Sequence, residues 1–166
     1  MRKIIGILTT MILFFSCDQE VVYEQYQAIN DSLWEKEKVY YFTFEIQDVE
    51  SAYDLQLEIR NNNLYPYQNL WVFCCEERPI GPLIRDTMEC MLADEYGKWN
   101  GEGFSLFHSR FPVRSHYRFP HTGQYTFSFR HGMRLPSLPG IQEIGFRVEK
   151  SNPVNAPSEK HPAAEK

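Results

Sequence analysis

The chain contains no GxSxG elbow, no HExxH pair, no phosphate-binding glycine loop and no dinucleotide fingerprint. The usual sequence marks of serine hydrolases, zinc peptidases and nucleotide-dependent enzymes are therefore missing. Positive charge is scarce: 17 Lys and Arg stand against 22 Asp and Glu, for a formal net charge of −5, and no basic cluster appears. That balance is a poor match for nucleic acid or anionic headgroups, which both attract Lys/Arg clusters. His108, His116, His121 and His131 never fall at the i, i+2 spacing of a strand pair or the i, i+4 spacing of a helix pair, and no CxxC pair occurs. A metal site is not expected, nor is a cofactor. The acidic neighbours Glu76-Glu77 and Asp94-Glu95 read as solvated loop residues. Glycoside hydrolysis would need two carboxyls facing each other across a cleft. No catalytic role is expected, and there is no internal repeat.

What is present begins with an address. Met1-Arg2-Lys3 precedes an apolar stretch from Ile4 to Phe15 that ends at Ser16-Cys17. The stretch suits a secretory signal and is short of the ~20 residues a membrane span needs. A small residue directly before a cysteine is similar to a relaxed lipobox, so residues 1–16 read as a cleaved lipoprotein signal peptide and Cys17 as the lipidated residue. Two or more acyl chains, at ~0.8 kcal/mol per buried methylene, make a lasting anchor. Cleavage removes Arg2 and Lys3 and no acid, which lowers the formal charge from −5 to −7.

After the anchor, Cys74, Cys75 and Cys90 remain in an exported chain where disulfides persist. Adjacent strand residues point to opposite faces, so at most one of Cys74 and Cys75 reaches Cys90. A Cys75–Cys90 bridge and three buried free thiols are both open readings.

Residues 17–38 read as a lipid-anchored tether plus a first ordered segment, with a short strand at Val21-Val22-Tyr23 and a helical turn capped at Asp31-Ser32-Leu33-Trp34-Glu35. From residue 39 the hydrophobic period becomes two. Tyr40, Phe42, Phe44 and Ile46 alternate with polar residues, as do Tyr53, Leu55, Leu57 and Ile59. The mostly apolar run Asn69–Cys75 predicts a strand near a sheet centre or covered on both sides, and further strands are expected at Ile84–Leu92, Phe104–Arg110, Gln124–Arg130 and Ile141–Glu149. Seven or eight short strands and no long amphipathic helix predict an all-β fold, an antiparallel β-sandwich over residues 39–150. The pattern does not separate jelly-roll from immunoglobulin-like wiring. Residues 151–166, with Pro153, Pro157 and Pro162 and no apolar periodicity, read as a disordered tail.

Large aromatic residues gather in the apparent loops: Tyr65 and Tyr67 with Trp71, then Trp99 between Gly97 and Gly101. Exposed rings of this kind capture a protein partner or stack on a sugar face. Alternatively they close the ends of the sandwich.

The order and spacing of Arg60-Asn61-Asn62, Tyr65-Pro66-Tyr67-Gln68-Asn69-Leu70-Trp71, Asp86-Thr87-Met88-Glu89-Cys90-Met91-Leu92-Ala93-Asp94, Gly97-Lys98-Trp99-Asn100-Gly101-Glu102-Gly103, Phe119-Pro120, Gly123-Gln124-Tyr125, Met133-Arg134 and Gly140-Ile141 closely resemble the GldH family of gliding-motility lipoproteins of the Bacteroidetes. The resemblance runs from the lipobox through Glu149, and Cys17 falls on the family's lipidated cysteine. It implies a non-enzymatic lipoprotein of the cell envelope, anchored by its lipid in the outer membrane. Its implied partners are other envelope proteins of the gliding-motility machinery linked to type IX secretion. A surface carbohydrate-binding module is the alternative that the aromatic loops leave open.

Overall fold

A computed structural model describes residues 20–152, so the signal segment, Cys17 and most of the C-terminal tail lie outside the described residues. Eleven strands form: β1 Val21–Ala28, β2 Leu33–Glu35, β3 Tyr40–Ile46, β4 Tyr53–Asn62, β5 Asn69–Glu77, β6 Ile84–Met91, β7 Glu102–Gly103, β8 Leu106–Tyr117, β9 Gly123–His131, β10 Ser137–Pro139 and β11 Ile141–Lys150. Two sheets face each other, one ordered β1-β11-β4-β8-β7 and the other β3-β9-β5-β6. Every pairing within them is antiparallel.

The wiring settles what the hydrophobic pattern left open. Among the eight long strands the first pairs the last (β1 with β11), the second the seventh (β3 with β9), the third the sixth (β4 with β8), and the fourth the fifth (β5 with β6). That nesting is one long hairpin rolled over on itself, which is the jelly roll and not the immunoglobulin arrangement.

Alternation builds the core. Tyr40, Phe42, Phe44 and Ile46 on β3 and Tyr53, Leu55, Leu57 and Ile59 on β4 all point between the sheets and are buried. Phe146 on β11 sits at the centre, its ring 4.9 Å from that of Phe127, 5.3 Å from Phe129 and 5.8 Å from Phe42. Stacked and tilted ring contacts at these separations add to the burial term.

Four elements differ from the sequence expectation. The strand expected at residues 21–23 continues to Ala28 because β11 pairs it along its whole length. The helical turn expected at 31–35 is a single 3-10 turn, Asn30–Ser32, in which Asp31 and Ser32 take φ of 54°. Trp34 then joins β2, which pairs β10 and caps one end of the core with the fully buried Trp34 and Leu138. β8 runs on through Pro112 to Tyr117. It can do so because β7 pairs it only at Phe107 and His108, so beyond those residues β8 is a bulged edge where a missing N–H is harmless.

The sandwich has two distinguishable ends. Val21, Glu149 and Tyr53 share one of them, with the loop of residues 78–83 and the turn before Gly123. Lys150 Nζ there lies 3.0 Å from Glu20 and 3.7 Å from Asp48. The β4–β5 loop with Tyr65, the Trp99 loop and the β2–β10 cap lie at the other end.

Candidate functional site

The outward side chains of β5 are Trp71, Phe73, Cys75 and Glu77. Trp71 and Phe73 are exposed, at 39% and 41%. β5 is an interior strand, as its apolar run predicts, but only its inner face, Leu70, Val72, Cys74 and Glu76, is covered. Gly132, directly after the neighbouring strand β9, leaves room for the two rings. A Cβ at that position would approach the Phe73 ring to 3.1 Å and Trp71 Cβ to 3.4 Å. Arg130 lies over the Phe73 ring, 5.4 Å from its centroid. Two shallow grooves flank this stripe. One, of about 690 Å³, is lined by Tyr41, Phe73, Arg85, Thr87, Ser128 and Arg130 among others. The other, of about 290 Å³, is lined by Tyr67, Trp71, Met133 and Arg134 among others.

The four aromatic candidates thus divide. Tyr67 and Trp71 share one groove on the open face. Tyr65 is only 3% exposed, donates its hydroxyl to Asn69 O at 2.7 Å, and is pushed well above the usual phenol range by burial. Trp99 packs 5.7 Å from Phe107 and 6.5 Å from Tyr65, and its Nε1 donates to Asn63 Oδ1 at 2.8 Å. Both pack at the far end of the sandwich, Tyr65 buried and Trp99 partly buried against it. The sequence did not single out Phe73 and Tyr41. They look like ordinary members of alternating strands until the open face is known.

The cysteine bridge is not formed. Cys75 pairs across from Arg85 and Cys90 across from Leu70, five rungs apart on β5 and β6, and their side chains leave opposite faces of the sheet. All three thiols are free. Burial pushes Cys74 and Cys90 up to about 12, whereas Cys75 is half-buried on the outer face.

Two carboxylates sit where alternation and loop composition did not place them. Glu76, read as a solvated loop residue, is the last inward side chain of β5 and 1% exposed. Its Oε1 accepts from Arg78 Nε at 2.7 Å and from the Tyr117 hydroxyl at 2.8 Å. Burial first and then this hydrogen bond push Tyr117 up to about 12. Glu58, on the outward face of β4, is also 1% exposed because one rung across four strands is built over it: Tyr26, Gly145, Glu58, Arg110. The Tyr26 ring lies flat over Gly145 so that its hydroxyl donates to Glu58 Oε2, which also contacts His108 Nε2 at 2.6 Å. Arg110 Nε reaches Oε1 at 3.2 Å, and Arg60 stacks on the Tyr26 ring at 4.3 Å. Each carboxylate is neutralised by fixed partners, and the two lie on opposite faces of different sheets. Among the described residues no group of three or more His, Cys, Asp and Glu side chains is placed to hold a metal.

Against known proteins, the family model described as GldH lipoprotein matches residues 21–148. A protein of Christiangramia forsetii named "Gliding motility lipoprotein GldH homolog" is 36% identical over 151 residues, covering 86% of this chain and 92% of the relative. "Gliding motility lipoprotein GldH" of Flavobacterium johnsoniae is 30% identical over 154 residues, covering 88% and 95%. Among solved structures, a chain of an infectious bursal disease virus structure aligns over 84% of this chain and 31% of its own length, with 10% identity and a TM-score of 0.32. That likeness is too slight to weigh.

Proposed function

This chain belongs to the GldH lipoprotein family, and from that membership we propose that it is a lipid-anchored, non-enzymatic component of a gliding-motility apparatus linked to type IX secretion, held at the outer membrane through Cys17. The observation that carries the reading is the extent of the match: residues 21–148 take in β1 to nearly the end of β11, so the shared feature is the whole folded body. A role without catalysis is supported by the buried carboxylates: Glu58 and Glu76 are each held by arginine and tyrosine partners on a separate face, and Glu149 by Arg147 and Gln56.

An anchored protein needs little affinity per contact. Confinement to a membrane raises the effective concentration of neighbouring envelope proteins, so weak surfaces suffice. The open face with Tyr67, Trp71 and Phe73 is the part of the body best suited to such a contact, since exposed aromatic rings are the usual anchors of protein interfaces. Crosslinking in native envelopes, followed by identification of adducts, tests this. Adducts with motility or secretion subunits should form on the native chain and be lost in the double variant Tyr67→Ser, Trp71→Ser, with its thermal unfolding unchanged. Adducts that survive both substitutions would move the contact elsewhere. Binding on a glycan array that Trp71→Ser abolishes would replace the reading with a carbohydrate module, and full cellular function of a Cys17→Ala chain would remove the anchor from it.

A further inference from the structure

We infer that the end of the sandwich where β1 begins rests directly on the lipid surface, with Ile80 and Leu83 entering it, so that the Tyr67 and Trp71 groove is presented away from the membrane. The inference depends on the lipid anchor at Cys17 proposed above. Only residues 18–20 separate Cys17 from Val21, the first residue of β1. At about 3.5 Å per extended residue the chain spans at most roughly 14 Å from Cys17 to Val21. A body held so closely cannot avoid the headgroups at that end.

The same end carries a loop suited to entering lipid. β5 ends at Glu77 beside Thr126, and β6 starts at Ile84, so residues 78–83 project where Val21 and Glu149 lie. Ile80 is 64% exposed and Leu83 48% exposed, although neither is needed to close the core. Between them Gly81 takes φ of 111° with nothing within 4 Å, and Pro79 and Pro82 remove two backbone N–H donors that would otherwise be desolvated. Pro79 packs on Gly123, where a Cβ would approach its ring to 3.2 Å, which steadies the loop. The charges around this end are mixed: the acids Glu20, Asp48, Glu50 and Glu77 stand with Lys150, Arg78, Arg85 and Arg118, Lys150 being paired to Glu20 and Asp48 and Arg78 to Glu76. Nothing there calls for an anionic lipid, and the expected contact is apolar.

All three tryptophans of the sequence lie at the other end: Trp34 in the β2–β10 cap, Trp71 near the start of β5, and Trp99 beside Tyr65. With ten residues in β4, that end stands about 30 Å further along the strand axis. The native rings are therefore an internal reference. The acylated chain, purified from membranes with its lipid confirmed by mass, is reconstituted into phosphatidylcholine vesicles with plain or brominated acyl chains. The native chain should emit equally in both. Ile80→Trp and Leu83→Trp, at exposed positions that tolerate the larger side chain, should each lose in brominated vesicles the emission that they add in plain ones. An added tryptophan left unquenched on an acylated chain overturns the orientation while leaving the anchor intact. Quenching of the native chain places the far end on the lipid and overturns it too. Absence of acyl mass on Cys17 removes the anchor and this inference with it.

Discussion

Replacing Gly145 by Ala adds one methyl to the outer face of β11, yet it should cost far more than a strand methyl usually does. An added Cβ would come within 2.6 Å of Tyr26 Cδ1 and Cε1 and 3.3 Å of Glu58 Cβ. The ring must lift, and its hydroxyl then leaves Glu58 and its face leaves Arg60. A hydrogen bond to a charged group contributes ~1.5–3 kcal/mol and an exposed cation–π contact ~0.5–1. His108 and Arg110 still hold the carboxylate, so the low end of that sum, about 2–3 kcal/mol, is expected. For a body of this size that is a fall in melting temperature of ~8–12 °C. Thermal and urea unfolding should be run as a double-mutant cycle with Tyr26→Ala. Once the ring is gone the methyl has room, and Gly to Ala in a strand recovers backbone entropy of roughly 0.5–1 kcal/mol. Gly145→Ala should then be neutral or stabilising. If it costs as much without Tyr26 as with it, the ring is not the reason for the glycine and the account of how Glu58 is covered fails.

Two further outcomes follow from the buried groups. With Cys17 replaced by Ser, the folded chain at pH 8 should take a thiol reagent at Cys75 alone and at all three cysteines after unfolding, because burial holds Cys74 and Cys90 near 12; labelling of Cys90 before unfolding contradicts the register of β6. His131 is fully buried beside Trp34, and burial lowers its pKa below the ordinary 6.5. The unfolded chain therefore takes up a proton that the folded one refuses, so stability falls as pH drops below about 6.5, by at most ~1.4 kcal/mol per pH unit. Subtracting the pH profile of His131→Phe should isolate that loss, and identical profiles between pH 7 and 5 would contradict it.

Much of the sandwich is legible in the sequence because β3, β4 and β9 keep one polar face, and strict alternation then names Phe42, Leu57 and Phe127 as core. The wiring is not legible, since nesting is decided by pairings between strands more than a hundred residues apart, such as Glu24 with Arg147. Local rules failed where tertiary partners override them. Trp34 lies in a span with the signature of a helix start but is drawn into β2 by Leu138 and the open end of the core, and Glu58 looks solvated until Tyr26 arrives from another strand. The open aromatic face was half readable: Tyr67 and Trp71 stand out by composition, while the packing of Tyr65 and Trp99 against the sandwich depends on Asn69, Asn63 and Phe107.

The pairing of the first strand with the last also decides how the body bears load. If the anchor pulls on the beginning of β1 while a partner pulls on the opposite end, tension runs along the strands. The hydrogen bonds between β1 and β11 lie across that direction. All the paired positions from Val21 to Ala28 must then slide together and cannot open one rung at a time like a zipper. The Arg147–Glu24 ion pair at 2.8 Å adds a lateral tie between the same two strands, and the Tyr26–Glu58 contact ties β1 across β11 to β4. A protein tethered through this strand would resist shear at its attachment point, the mechanical property that a part set between a membrane and a moving machine requires.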